Sequence, residues 1–137
     1  MRSATIAAAF CLVATMAISQ VGVWEEAAAL RDPRAYLSAA TVDGQIYTVG
    51  GLRRWPPVSS VEVYDPSRDV WSERQPLPVP RMALAVVGLG GRLYAVGGAN
   101  GAAWIDRVDV YDPGADRWTE RSPAPAARGY AGAAAAF

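Results

Sequence analysis

The residues able to do chemistry in this chain are carboxylates, tyrosines and arginines, because its 137 residues include no histidine. Its single cysteine, Cys11, lies in an apolar N-terminal run. The usual ligands of zinc and copper are therefore missing, as are the partners of a Ser-His or Cys-His nucleophile. We expect neither a metal nor another cofactor.

The carboxylates that could serve as acid and base recur at a fixed spacing of 47 residues. Three glutamates and two aspartates keep this spacing: Glu26, Glu73 and Glu120, and Asp69 and Asp116. Groups that every unit of a repeated structure needs recur in this way, whereas a catalytic pair need occur only once. We interpret them as scaffold ion pairs, with Arg74 and Arg121 as nearby partners, in preference to acid–base catalysts.

The same period governs most of the other conspicuous residues, and no gap is needed to align the copies. The recurring residues are Trp24, Trp71 and Trp118; Arg34, Arg81 and Arg128; Gly50-Gly51 and Gly97-Gly98; and Tyr64-Asp65-Pro66 and Tyr111-Asp112-Pro113. A fixed period of this size indicates stacked supersecondary units, none of which can bury its apolar surface alone.

Within each period the apolar residues alternate with a period of two, which is typical of strands and not of helices. Asp43-Gly44 and Gly90-Gly91 suit tight two-residue hairpins, and Asp-Pro ends the third strand because proline cannot donate to a ladder. In the first copy we expect strands at about 34–42, at 45–49, at 61–64 and around Trp71. Four short antiparallel strands per repeat predict an all-β fold built of propeller blades.

These residues resemble kelch repeats. In that family a Gly-Gly pair ends the second strand, a tyrosine follows in the third and a tryptophan in the fourth. Two sets of residues carry this spacing: Gly51, Tyr64 and Trp71, and Gly98, Tyr111 and Trp118. The resemblance covers nearly all of residues 24–137 and implies a kelch-type β-propeller whose aromatic side chains pack between sheets. The best-known kelch oxidase binds copper partly through histidine, which this chain lacks.

The first 19 residues fall outside the repeat and read as a secretory signal. Arg2 precedes an uncharged apolar run from Ala4 to Ile18, with the small residues Ala17 and Ser19 before the expected cleavage site. The run is shorter than the ~20 residues of a spanning helix, so we favour cleavage over an uncleaved anchor. We expect a bacterial protein that is secreted or held in the periplasm or cell envelope, without stable membrane insertion after cleavage.

The rest of the chain divides on the same period. We expect a fourth strand and link at 20–33, one repeat at 34–80, a second at 81–127 and the start of a third at 128–137. Propellers close with about four to eight blades, so two blades leave the ring incomplete. We expect a fragment of a larger propeller whose remaining blades complete the ring; self-association of several copies is the alternative.

Loops that differ between repeats are where binding specificity usually resides. Residues 52–60 and 99–107 follow the second strand of each repeat and share no residue at matched positions. Strand alternation places both loops on one face of the propeller, where we expect a ligand. The candidate ligand-binding residues in them are Arg53, Arg54, Trp55, Asn100, Trp104 and Asp106.

Arg34, Arg81 and Arg128 open the first strand of successive repeats and would stand around one mouth of the central channel. Arginine holds carboxylates in two-point fashion, so these residues could bind an acidic ligand. Hydrogen bonds from the guanidinium groups to neighbouring loop carbonyls are the alternative.

Thirteen arginines balance thirteen aspartates and glutamates, which argues against a nucleic-acid binder driven by bulk charge. The sequence favours a non-catalytic binding module that engages protein or carbohydrate through its loops. The alternative is a fragment of a mutarotase or epimerase acting on an acidic sugar such as sialic acid, with catalytic residues partly outside this chain.

Overall fold

The computed structural model describes residues 25–135 and consists of two β-sheets. The predicted signal peptide and Trp24 lie outside the described residues. Each sheet has four antiparallel strands in sequential order, which confirms the all-β, propeller-blade prediction. The first sheet, blade 1, contains β1 (Ser38–Val42), β2 (Gln45–Val49), β3 (Val61–Asp65) and β4 (Val70–Glu73). The second sheet, blade 2, contains β5 (Ala85–Leu89), β6 (Arg92–Val96), β7 (Val108–Asp112) and β8 (Arg117–Arg121).

The hairpins between the first two strands of each blade form where the sequence predicts them. Asp43 and Gly44 have φ angles of 50° and 76°, and Gly90 and Gly91 have φ angles of 58° and 73°. Two successive residues with positive φ define the turn whose twist matches that of the flanking strands. The register follows, since Val42 then pairs with Gln45 and Leu89 with Arg92.

The first strand of blade 1 begins at Ser38 and is shorter than the predicted span of 34–42. Tyr36 has a φ of 54°, in the left-handed region, and this interrupts the extended conformation. Ala35 makes only an isolated bridge, to Leu52. The segment before each first strand is therefore a bent connection, and it brings side chains to the end of the blade.

The core lies between the two blades, where β1 packs against β5. The rings of Tyr47 and Tyr111 meet edge to face with their centroids 6.0 Å apart, and Trp118 packs on Tyr111 at 5.0 Å. Tyr111 is fully buried, and Trp118 is nearly so. Burial and the Asp116 carboxylate together raise the pKa of the Tyr111 phenol far above its ordinary value. These aromatics hold neighbouring sheets together, as the sequence predicts.

The Gly-Gly pairs join one blade to the next. The Gly51 N–H donates to the Arg81 carbonyl at 3.0 Å, and the Gly98 N–H donates to the Arg128 carbonyl at 2.8 Å. A Cβ at Gly50, whose φ is 62°, would lie 2.3 Å from the Arg81 carbonyl oxygen. The first glycine of each pair is thus needed for its backbone angle and for the close approach of the next repeat.

A second set of repeated residues holds two backbone segments, one at Ala28 and one at Gln75, which follows β4. Asp116 accepts the hydroxyl of Tyr111 and the N–H of Gln75, while the Trp118 indole donates to the Gln75 carbonyl at 2.8 Å. Tyr64, Asp69 and Trp71 hold the backbone of Ala28 in the same way. Hydrogen bonds from Tyr111 and Gln75 lower the pKa of the Asp116 carboxyl, since they favour its charged form. The recurrence of Tyr, Asp and Trp therefore has a structural cause.

Within the described residues no helix has the length and apolar character needed to cross a membrane.

Candidate binding surface at the loop end of the blades

The β2–β3 and β6–β7 loops have the same backbone anchors although their side chains differ throughout. The Gly50 N–H donates to the Ser60 carbonyl, and the Gly97 N–H donates to the Arg107 carbonyl, both at 2.9 Å. We call the end of the blades that carries these loops the loop face. A common backbone with divergent side chains allows each repeat to present different chemistry at the same place.

Four exposed aromatic side chains lie together on the loop face, and we call them the aromatic surface: Tyr36, Trp55, Trp104 and Tyr130. Their exposed fractions are 52%, 65%, 47% and 67%. The Tyr130 ring meets Trp104 at a centroid distance of 5.5 Å and Tyr36 at 6.0 Å, in both cases edge to face. Large apolar rings left in contact with water and with each other are typical of interaction sites.

Tyr36 and Tyr130 come together because each occupies the left-handed position before a first strand. Ala83 occupies the same position in blade 2, and all three residues have φ between 52° and 54°. The Ala83 N–H donates to the Tyr36 carbonyl and the Tyr130 N–H donates to the Ala83 carbonyl, each at 2.9 Å. The small side chain of Ala83 lets the two tyrosine rings meet above it. Sequence analysis missed both tyrosines, although their spacing is twice the repeat length.

Trp55 and Trp104, two of the predicted site residues, line one cavity of about 240 Å³. The rest of its wall consists of small residues: Ala99, Gly101, Ala102 and Ala103. Asn100, a third predicted residue, accepts the N–H groups of Ala102 and Ala103, both at 3.0 Å. The structure thus brings the two tryptophans to one depression, and Asn100 shapes the loop that separates them.

The side chains of Arg34 and Arg81 are buried inside their blades. The side chains of Arg34 and Glu62 form an ion pair and are 0% and 2% exposed. Arg81 and Asp109 form the equivalent pair at 2.8 Å and are both fully buried. Arg34 also donates to the carbonyl of Gly50, and Arg81 to that of Ala95. In this structure both guanidinium groups are paired within their own blades, and binding of an acidic ligand by these two residues stays a prediction.

Arg107 adds a second cation to the buried pair of blade 2. Its guanidinium donates to both Asp109 carboxylate oxygens at 2.8 Å and lies 2.9 Å from the Glu120 carboxylate. The carboxylate of Asp109 raises the pKa of Arg107, whereas burial lowers that of Arg81. Glu120 is therefore part of a scaffold ion pair, with Arg107 as its partner in place of the expected Arg121.

The other three predicted arginines are exposed. Arg53 lies 3.2 Å from the Asp32 carboxylate, in an ion pair open to water. Arg128 donates to the Ala126 carbonyl, and Arg54 is exposed in the β2–β3 loop. Binding of an acidic ligand by these residues stays a prediction. Within residues 25–135 no group of three or more histidine, cysteine, aspartate or glutamate side chains is arranged to hold a metal ion.

Four-stranded antiparallel sheets that pack through their first strands, with glycine pairs docking one sheet on the next, define a segment of a β-propeller. Two family models, each described as the Kelch motif, match residues 33–78 and 80–125, together more than half of the chain. The chain belongs to the kelch-repeat family. Kelch repeats are typically protein-interaction modules.

Curated relatives are similar over a single repeat length. Forty-six residues are 44% identical to an F-box/kelch-repeat protein of Arabidopsis thaliana, in an alignment that covers 31% of this chain and 13% of the relative. Forty-six residues are 41% identical to Kelch repeat and BTB domain-containing protein 13 of Homo sapiens, covering 34% of this chain and 10% of the relative. The chain therefore spans only a small part of the length of these relatives.

Proposed function

We propose that this chain binds a protein partner through the aromatic surface on its loop face. The observation that carries the proposal is the contiguous exposure of Tyr36, Trp55, Trp104 and Tyr130 on a scaffold that buries Tyr47, Tyr111 and Trp118. Tyrosine and tryptophan dominate the energy of protein interfaces, because they bury large areas with few rotatable bonds.

Carbohydrate is the second candidate ligand of the same surface. The cavity between Trp55 and Trp104 is lined by small residues, and a sugar ring could enter it to stack on either indole. A mutarotase or epimerase would in addition need an acid–base pair at the site. The β6–β7 loop has one carboxylate, Asp106, two residues after Trp104. The mutarotase or epimerase function therefore needs catalytic residues outside the aromatic surface.

Selection from a random peptide display library tests the proposal. We expect peptides that bind the full chain and lose at least tenfold in affinity when Trp55 and Trp104 are both replaced by alanine, which corresponds to about 1.4 kcal/mol. The matched control is Val70→Ala, since Val70 is an exposed apolar residue at the opposite end of blade 1.

Two outcomes would reject protein binding at this surface. One is that the selected peptides bind the double alanine variant as tightly as the unmodified chain. The other is that the library yields no binder while a glycan array yields a sugar whose binding requires Trp55 and Trp104. The second result would favour the carbohydrate function.

We also propose that the protein is exported and that the signal is removed after residue 19. The support is the sequence of residues 1–19, which lie outside the described structure. N-terminal sequencing of the chain recovered from a bacterial host tests this. We expect Gln20 as the first residue of protein from the periplasm or medium, and full-length protein confined to the cytoplasm would contradict the proposal.

A further inference from the structure

One matched position next to the third strand of each blade has a charged side chain in blade 2 only. The position is Ser60 in blade 1 and Arg107 in blade 2. In blade 2 this residue is Arg107, whose guanidinium bridges the carboxylates of Asp109 and Glu120. These two carboxylates face each other because Asp109 pairs with Glu120 across the ladder. Blade 2 therefore contains a built-in example of how these positions hold a guanidinium group.

Blade 1 keeps the two carboxylates and loses the arginine. Glu62 pairs with Glu73 across β3 and β4, in the register that Asp109 and Glu120 adopt in blade 2. Ser60 stands at the position of Arg107, and its carbonyl accepts the same backbone hydrogen bond. The serine side chain is too short to reach across the carboxylates, and its hydroxyl lies 3.3 Å from the Asp32 carboxylate.

A cavity of about 430 Å³ lies where blade 1 lacks this arginine. Ser60, Glu62 and Glu73 all line it, and its volume falls in the range of about 300–1,000 Å³ that is usual for ligand sites. The cavity also borders the β2–β3 loop, because Arg53 and Ser59 form part of its wall. It is therefore within reach of a partner that docks on the loop face.

The wall of this cavity has three arginines, Arg31, Arg53 and Arg74, and three carboxylates, Asp32, Glu62 and Glu73. In blade 2 the two carboxylates share two arginines, Arg81 and Arg107. In blade 1 the Glu62 carboxylate has Arg34, and Glu73 makes no ion pair with any residue that the structure describes. Asp32, at the rim, is already paired with Arg53. No arginine that the structure describes therefore bridges Glu62 and Glu73 as Arg107 bridges Asp109 and Glu120.

We propose that the cavity lined by Ser60, Glu62 and Glu73 binds the guanidinium group of an arginine side chain presented by a peptide partner. The planar fork of a guanidinium can donate to Glu62 and Glu73 together, as Arg107 does to the equivalent carboxylates. An ammonium group lacks this fork and should bind more weakly. The proposal rests on protein binding at the loop face and specifies one residue of the partner.

Two arginines of the chain itself compete for the cavity. Arg74 lines it, and its guanidinium donates to the Glu73 carbonyl. Arg31 lines it too, and the Arg31 backbone N–H already donates to Glu62. Its side chain is exposed in the structure. If the Arg31 side chain turned inward it would supply a bridging guanidinium from within the chain. The variant Arg31→Ala separates the two cases, because it should bind an external guanidinium at least as tightly as the unmodified chain.

Titration of the full chain with N-acetyl-L-arginine amide, followed by NMR, tests the proposal. This probe carries a guanidinium but no carboxylate, and N-acetyl-L-lysine amide is the matched ammonium. We expect saturable shifts at Ser60, Glu62 and Glu73 with the arginine probe, and binding at least tenfold weaker with the lysine probe. Ser60→Arg should weaken binding at least tenfold, since it places a resident guanidinium in the cavity as blade 2 does.

Two further variants keep the test decisive even if Ser60→Arg fails to fold. Glu73→Gln alters an exposed side chain and should also weaken probe binding at least tenfold, while Arg107→Ser should open a second site beside Asp109 and Glu120. The proposal is overturned if the probe shifts no resonance in the cavity, if Glu73→Gln binds as the unmodified chain does, or if both probes bind equally. Because the probe assay needs no partner protein, its result stands apart from that of the peptide selection.

Discussion

Replacing Asp109 with alanine is expected to destabilise the protein by about 3–5 kcal/mol, because it leaves a buried arginine without its carboxylate. Arg81 and Asp109 are both fully buried and lie 2.8 Å apart. The Arg81 Nε atom is already buried without a hydrogen-bond partner, so the remaining donors depend on Asp109 and two backbone carbonyls. Urea unfolding of the full chain, followed by tryptophan fluorescence, measures the loss.

The chain provides two controls for this result. Glu120→Ala removes the exposed partner of Arg107 and should cost about 0–1 kcal/mol, as is usual for ion pairs open to water. Asp109→Glu should cost much less than the alanine change, since blade 1 already has a glutamate, Glu62, at this position. Equal losses in the free energy of unfolding for Asp109→Ala and Glu120→Ala would contradict the prediction. They would show that the burial of the Arg81–Asp109 pair does not set the cost of breaking it.

Replacing Gly50 with alanine is expected to cost about 3–5 kcal/mol and to loosen the contact between the blades. The added Cβ would lie 2.3 Å from the Arg81 carbonyl oxygen and close to Leu84 and Leu77. The backbone of blade 2 would have to move away, which would strain the hydrogen bond from Gly51 to Arg81. The free energy of unfolding in urea again gives the measurement.

Gly90→Ala is the matched control for this clash. Gly90 has a φ of 58°, close to the 62° of Gly50, but a Cβ there would meet no atom within 4 Å. Its substitution should therefore cost only the left-handed strain, about 1–2 kcal/mol. If the two variants lose the same free energy of unfolding, the close approach of the next blade does not require glycine at position 50. The glycine would then be needed only for its positive φ angle.

The sequence predicts the scaffold well because scaffold residues recur. Local rules that operate once per repeat predict three of its features. These are the hairpin at Asp43-Gly44, the end of β2 before Gly50 and the packing of Tyr111 on Trp118. A period with no gaps makes each such rule visible twice. The same reasoning identified the β2–β3 and β6–β7 loops as the places where the repeats differ.

The ion pairs inside the blades could not be predicted in the same way. Glu62 and Asp109 occupy matched positions but differ in residue type, so they do not appear among the identical repeated residues. Both lie in strands in which apolar and polar residues alternate. Nothing in this local pattern shows that the carboxylate points inward, to an arginine 28 residues earlier in the sequence. Only the packing of the first, second and third strands brings Arg34 and Arg81 to them.

The aromatic surface was predicted in part for a similar reason. Trp55 and Trp104 were identified from the divergent loops, whereas Tyr36 and Tyr130 were not, because their contact depends on the backbone ladder through Ala83. The cavity of blade 1 could not be predicted from the sequence. It lies where the short side chain of Ser60 replaces the long side chain that Arg107 has in blade 2. Such features become visible when the two blades are compared position by position in three dimensions.

The central claim is that repeated residues build the scaffold and that the divergent loops bind the partner. Hydrogen exchange of the full chain with and without a selected peptide tests it most directly. We predict that the peptide slows exchange in residues 52–60 and 99–107 and leaves exchange of β7 and β8 unchanged. Protection confined to those strands, with the two loops exchanging as in the free chain, would contradict the claim.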